Sequence, residues 1–310
     1  MATLQQKIIP HLWFDNTAKA AAGFYASVFP DAAVTDIMTL HDTPAGDCDV
    51  VSFVLWGHRF VAFSAGPLFK FNPSVSFIVN FDPLFFKPSP SPEKDARRKL
   101  DEVWENLSED GTVLMPIDEY PFSRRYGWIQ DRYGLSWQVM LTCPDGDPRP
   151  PIVPNLLFVG KNCGNAEAAM RFYLSVFRHS RPGNLVRYGP GQAPDEPGTI
   201  MFADFMLEGS WFAAMDSARE HRFGFNEAVS FMVSCRDQEE IDYYWERLSA
   251  VPEAEQCGWL KDRYGISWQI VPAALDEMLR NGTAAQKARV TQAFLKMKKF
   301  DLAGLERAYA

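Results

Sequence analysis

A thirteen-residue block occurs twice in this chain, and that repetition constrains the fold more than any other feature: GWIQDRYGLSWQV at 127–139 returns as GWLKDRYGISWQI at 258–270. The likeness extends, in the same order, through IIPHLWF (8–14) and IVPNLLF (152–158), GFYASVF (23–29) and RFYLSVF (171–177), and FKFNPSVSFIV (69–79) and FGFNEAVSFMV (223–233). Ordered matches of this kind imply one fold used twice. TCPDGDPRPP at 142–151, rich in Pro, Gly and Asp, reads as the boundary. The chain therefore divides into a first domain over 1–145, a second over 150–273 and a tail over 274–310.

Hydrophobic periodicity gives the elements of each copy. The first copy opens with a strand at 8–14. A helix over 17–29 follows, with Ala21, Phe24, Tyr25, Val28 and Phe29 on one stripe and Pro30 at its end. Strands at 35–40, 50–56 and 60–64 come next. The order then repeats: a strand at 74–81, a helix over 93–107 with Ala96, Leu100, Val103, Trp104 and Leu107 on one face, and strands at 112–117, 126–130 and 135–141. Each copy is thus expected to hold two β-α-β-β-β modules, an α+β fold. The second copy follows the same plan, with helices over 165–177 and 238–248. The first copy carries extra length, partly in DPLFFKPSPSP (82–92). The prolines there favour an exposed extended loop that could fold over a binding site. The tail reads as helical, with a stop at Asn281–Gly282 and Thr283 as an N-cap. It either packs on the body or on a partner, or lies on a membrane surface.

Hydrophobic residues make up 47% and charged residues 23%, which suits a folded globular chain and excludes a mostly disordered one. A net charge of −8 offers no basic field for nucleic acid or anionic lipid. No apolar run is long enough for a membrane span, and residues 1–14 lack the pattern of a signal peptide. Five scattered cysteines without a CxxC pair fit reduced thiols and a cytoplasmic location. Neither Cys163 nor Cys257 has the basic neighbours of a reactive thiol.

The doubled module, the FY…VF helix, the FKFN…SF block and the GW-x-x-D-R-Y-G-x-S-W-Q ending resemble PhnB-like proteins. These are a branch of the vicinal oxygen chelate superfamily, with the glyoxalases, extradiol dioxygenases and bleomycin-resistance proteins, and are often labelled 3-demethylubiquinone 3-methyltransferase. The resemblance covers nearly the whole chain. It implies tandem glyoxalase-like domains, in each of which two modules form a cupped sheet around a small-molecule ligand. It also implies an intrachain pseudo-dimer with an approximate two-fold, and leaves a further homodimer open.

The resemblance further implies where a site would lie. The family's last-strand glutamate ligand corresponds to Gln138 and, in the second copy, Gln269. Strand alternation places Ser136 and Gln138 on one face opposite Trp137, and Ser267 and Gln269 opposite Trp268. Carry-over adds His11 and Asn155 on first strands, Ser64 and Asp216 on fourth strands, and Ser76 and Ser230 on fifth strands. The first cup is expected to gather His11, Ser64, Ser76 and Gln138, the second Asn155, Asp216, Ser230 and Gln269. Asp131–Arg132 and Asp262–Arg263 read as turn residues with their charges in solvent, Gly134 and Gly265 supplying positive φ. Trp137 and Trp268 read as core.

A catalytic divalent metal needs two or three imidazole or carboxylate ligands, and neither expected cup supplies them. The expectation is a binding protein or enzyme that takes a small, partly apolar ligand without a cofactor. The two cups should differ in ligand preference, with the first copy as the working site. Two readings stay open beside it: a metal-dependent glyoxalase- or dioxygenase-like enzyme using zinc, nickel, manganese or iron, and a structural or interaction protein with filled cups. A methyltransferase of the Rossmann type would need a G-x-G-x-x-G turn, which the sequence lacks.

Overall fold

The computed structural model describes residues 6–44, 46–143 and 147–310. Part of the expected boundary, 144–146, lies outside the described residues. The first module runs β1 (Ile8–Phe14), α1 (Ala18–Val28), β2 (Ala33–Thr43), β3 (Gly46–Leu55) and β4 (His58–Ser64). The second runs β5 (Val75–Phe81), α2 (Pro92–Ser108), β6 (Thr112–Tyr120), β7 (Ser123–Gln130) and β8 (Ser136–Leu141). The third runs β9 (Ile152–Val159), α3 (Ala166–Val176), β10 (Ser180–Arg187), β11 (Ile200–Leu207) and β12 (Ser210–Ser217). The fourth holds β13 (Val229–Cys235), α4 (Gln238–Leu248), β14 (Trp259–Lys261) and β15 (Ser267–Pro272). It departs from the expected pattern. Where β6 stands in the first copy, the second has a 3₁₀ turn at Pro252–Ala254 and a single bridge between Gln256 and Trp259. The tail forms α5 (Ala273–Asn281), α6 (Ala284–Phe294) and α7 (Leu302–Tyr309).

The sheets do not follow the copies. One sheet has the order β14-β15-β13-β1-β4-β3-β2, and the other β10-β11-β12-β9-β5-β8-β7-β6. The first module therefore shares a sheet with the fourth, and the second with the third. Antiparallel pairing of β1 with β13 and of β5 with β9 makes the two joins. This corrects the expectation that the two modules of one copy close one cup. Exchanging the copies maps the seven-stranded order onto the eight-stranded one, β6 excepted, so the pseudo-dimer is built by reciprocal sharing of modules.

The helices and the inner sheet faces form one continuous core. Phe60 on β4 meets Phe77 on β5 at 5.2 Å, and Phe212 on β12 meets Phe231 on β13 at 5.1 Å, so the sheets stand back to back. Trp137 and Trp268 are buried there, as expected. The D-R-Y-G turns work differently from their reading as solvated charges. Gly134 and Gly265 do take positive φ, at 85° and 87°. Asp131, however, is buried, and accepts from Tyr25 Oη at 2.8 Å, Trp137 Nε1 at 2.9 Å and the backbone N–H groups of Tyr133 and Leu135. Asp262 does the same with Tyr173, Trp268, Tyr264 and Ile266. Each carboxylate ties a helix from the first half of its copy to the last strand of the same copy. Burial raises both carboxyl pKa values, and the hydrogen bonds oppose that rise.

The segment 82–92 is not a flap over a cup. Pro83–Phe86 form a 3₁₀ turn whose Phe85 and Phe86 rings pack on Trp56 at 5.7 and 6.0 Å. The tail takes the covering role instead. It packs on the body, with Leu275, Met278, Leu279, Val290, Phe294, Phe300 and Leu305 as its own cluster. That cluster reaches Met38 and Leu40 on β2 and Val271 on β15, near opposite edges of the seven-stranded sheet. Arg280 pairs with Asp36 at 2.5 Å and donates to Ser52 Oγ at 3.3 Å. Further along, Met297 and Lys298 carbonyls accept from the Cys257 and Gly258 N–H groups. Thr283 and Gln286 make a capping box at the start of α6, so the expected N-cap holds. Among the described residues, no helix is long and apolar enough to cross a membrane.

Candidate functional site

Strand alternation fixes which side chains face outward. Phe77, Trp137 and Leu156 point into the core, so Ser76, Gln138 and Asn155 occupy the outer face of the eight-stranded sheet. Register brings them together, because Ser76 stands opposite both Asn155 and Ser136. Gln138 Nε2 donates to Ser76 Oγ at 2.8 Å, and Asn155 Nδ2 donates to the same oxygen at 3.3 Å. Tyr126 Oη donates to Gln138 Oε1 at 2.8 Å, and Trp128 Nε1 donates to Ser136 Oγ at 2.8 Å. Burial holds the Tyr126 phenol protonated, far above its ordinary pKa. This amide cluster is buried, with Gln138 3% exposed and Asn155 0%.

The seven-stranded sheet carries the corresponding set with one exchange. Gln269 Nε2 donates to Ser230 Oγ at 2.9 Å and lies 2.7 Å from His11 Nδ1. An amide donor at Nδ1 leaves the imidazole proton on Nε2. Desolvation pushes the His11 pKa down to about 3, so the ring is neutral at physiological pH. Around it, Phe63, Trp13 and Trp259 pack ring to ring, with centroids 4.6 to 6.4 Å apart. Trp259 is the counterpart of Trp128, but Ser267 Oγ, the counterpart of Ser136 Oγ, is buried without a partner.

The expected groupings therefore change. His11 joins Ser230 and Gln269 of the second copy, and Asn155 joins Ser76 and Gln138 of the first. Ser64 and Asp216 belong to neither cup, because both point inward. Ser64 Oγ accepts from Ala18 N at the start of α1. Asp216 accepts from Ala166 N at the start of α3, and also from Gly164 N and Ile200 N, at 2.7 to 3.1 Å. They are equivalent residues capping equivalent helices. Alternation from Phe60 and Ala62 on β4, and from Phe212 and Ala214 on β12, could have signalled this inward direction.

The donor set does not fit a catalytic divalent metal. One cup offers a single imidazole whose Nδ1 already faces an amide donor. At the carried-over positions the other offers amides and hydroxyls. The one carboxylate carried over, Asp216, is held by three N–H groups. Among the described residues, no three His, Cys, Asp or Glu side chains converge.

The outer faces differ in access. Ile78, Val153, Trp211 and Ala213 form an apolar patch on the eight-stranded sheet, flanked by Met140, Phe202, Met206 and Met215. Beside it lies a cavity of about 200 Å³, bounded by Ile78, Met140, Val153 and Phe202, by Cys143, and by the polar or charged Asn80, Asp82, Thr142, Asp147, Arg149, Asn184 and Asp204. Asp204 is buried and paired with Arg149 at 2.8 Å, whose guanidinium stacks 3.8 Å from the Trp211 ring. The sequence reading missed Tyr126, Trp128 and Asp82. The change from Tyr126–Gly127–Trp128 to Cys257–Gly258–Trp259 was the available signal for the first of these.

Comparison with known proteins adds the lineage. The model of the 3-demethylubiquinone-9 3-methyltransferase family matches twice, over residues 6–140 and 150–271. A PhnB protein of Bacillus cereus is 30% identical over 44% of this chain and 100% of its own, with a TM-score of 0.37. Glyoxalase I of Zea mays is 10% identical over 88% of this chain and 96% of its own, with a TM-score of 0.51, a likeness of fold. No curated protein matches.

Proposed function

We infer, for a chain that belongs to the 3-demethylubiquinone-9 3-methyltransferase family and has a glyoxalase-like fold, that the eight-stranded cup is its ligand site. It takes a small, partly apolar organic molecule without a divalent metal. The observation that carries this reading is the cavity of about 200 Å³ beside the Gln138–Ser76–Asn155 cluster, with Ile78, Met140, Val153 and Phe202 on its apolar side and Asn80, Asp82, Thr142, Arg149 and Asp204 among its polar groups. The seven-stranded cup is occupied by its own aromatic rings and crossed by α5–α7.

Gln138 is a positioning group: it does not itself line the cavity but shares a face of β8 with Met140, which does. Tyr126 and Ser76 hold both ends of its amide, so it presents a fixed dipole at the floor of the cup. The family description names a methyl transfer, which needs a bound methyl donor. No Gly-rich strand-to-helix turn in this sequence makes a cradle for one, so the reading stops at binding and orientation.

A thermal-shift screen of small organic molecules and divalent metals tests it, since a ligand that binds only the native state raises Tm. The expected hits are organic, lost on filling the cavity with Met140→Phe and kept in Gln269→Ala. Stoichiometric zinc, nickel, manganese or iron that raises Tm, or hits that follow His11→Ala instead, would overturn it.

A further inference from the structure

One carboxylate in the eight-stranded cup lacks a charge partner. Asp82 is 4% exposed, and its Oδ1 accepts from Leu84 N at 2.8 Å. Among the described residues, no Lys, Arg or His forms an ion pair with it. The other buried carboxylates described above are better supplied: Asp131 and Asp262 take donors from two side chains and two N–H groups each, and Asp204 has Arg149. An ionised carboxylate removed from water is costly unless it is paired. Asp82 borders the cavity, and so do two other oxygens without donors. Asn80 spends its Nδ2 on the Pro150 carbonyl at 2.9 Å, which leaves its Oδ1. Thr142 Oγ1 is buried and unpartnered.

We propose that this cavity binds an organic ammonium, with the charged nitrogen at Asp82, Asn80 and Thr142 and the apolar part against Ile78, Met140 and Phe202. The proposal rests on the reading of this cup as the ligand site and names the class of its ligand. An ammonium carries up to three N–H donors, which matches three waiting acceptors. A bare metal cation fits less well. A hard cation takes six or more oxygens, whereas Ile78, Met140, Val153 and Phe202 make one side of this wall hydrocarbon, thioether and aromatic ring, and the Arg149 guanidinium that also lines it is already paired with Asp204. The aromatic face of Phe202 and the sulfur of Met140 both suit a ligand with an apolar body beside a positive head.

Calorimetric titration with benzylamine, benzyl alcohol and benzoate, at matched ionic strength, tests the proposal. Benzylamine is expected to bind at least about tenfold more tightly than benzyl alcohol, as a charge-assisted hydrogen bond predicts, and benzoate more weakly still. Asp82→Asn keeps an acceptor for Leu84 N while removing the charge. It is expected to weaken benzylamine about tenfold and to leave benzyl alcohol unchanged. Met140→Phe should weaken both.

Equal affinity for amine and alcohol, a benzylamine affinity indifferent to Asp82→Asn, or an Asp82-dependent rise in Tm with potassium or calcium chloride alone would each overturn it. If benzyl alcohol or benzoate binds best and Met140→Phe abolishes that binding, the cup remains the ligand site and only the ammonium assignment falls. If no probe binds, or none responds to Met140→Phe, both fall.

Discussion

At the centre of both cups a glutamine amide donates to a serine hydroxyl on the next strand, yet the third member is His11 in one and Asn155 in the other. The surroundings diverge further. Gly127 in the eight-stranded sheet lies under Trp104 of α2, and a Cβ there would come within 2.5 Å of that ring. At its counterpart Gly258, a Cβ would instead come within 2.4 Å of the Phe300 ring of the tail. The same glycine thus admits a helix of its own copy in one sheet and the C-terminal segment in the other. The lesson is that duplication preserved the floor of the cup while the cover became specialised. One cup gained α5–α7, and the other kept β6 and an open face.

The largest effect should come from breaking that cover. Phe300→Ala empties a buried aromatic site and is expected to cost roughly 3–5 kcal/mol, read by chemical denaturation. Amide exchange should accelerate on β2 and β14 and stay unchanged on β10 and β11. Equal acceleration in both sheets would show that the tail serves the whole core and not one cup.

Acid should separate the cups next. Above pH 6.5 the His11 imidazole is neutral both folded and unfolded. As pH falls below 6.5, only the unfolded chain takes up the proton, because the folded value lies at about 3. Stability present at neutral pH is therefore lost between about 6.5 and 3, on the order of 3 kcal/mol by pH 4. His11→Asn, which copies the other cup, should remove this part of the acid sensitivity. A pH–stability profile identical to the parent would show that His11 is solvated.

Substituting the glutamines tests whether the shared floor has a shared task. Gln138→Ala and Gln269→Ala each leave a buried serine short of a donor and should each cost about 1–3 kcal/mol. Only Gln138→Ala should also weaken a ligand of the eight-stranded cup. Equal weakening by both, with two identical sites in the parent, would erase the distinction between the cups.

The smallest contrast lies in the paired serines. Ser136→Ala removes the acceptor of Trp128 Nε1 and should cost about 1 kcal/mol. Ser267→Ala removes a hydroxyl that has no partner, and its denaturation midpoint should stay level or rise slightly.

Much of the scaffold was legible in the sequence because apolar periodicity is local. The strands at 8–14 and 152–158, the FY…VF helices and the Thr283 cap all formed where the pattern put them. Sheet partnership was not legible. Two near-copies present equivalent edges, so β1 could satisfy its pattern with β5 or with β13, and only three-dimensional connection decides. The inward aim of Ser64 and Asp216 was lost to a one-residue ambiguity, which in a strand reverses the face. The buried Asp131 had a readable sign. Tyr25 sits on an otherwise apolar stripe, and a buried phenol needs an acceptor. Gln138 and Gln269 were placed on the correct face because alternation from Trp137 and Trp268 was unambiguous.

The exchange of modules between copies has a consequence for synthesis. Ile8–Leu12 pair with Val229–Val233, so during synthesis β1 waits for more than two hundred residues before this neighbour exists. Contacts this distant in sequence slow folding. In the interval β1 and β5 both present unpaired edges, the kind of surface through which chains associate wrongly. Placing both copies in one polypeptide limits that hazard. The missing partner is always tethered, and its local concentration does not depend on how much of the protein the cell has made.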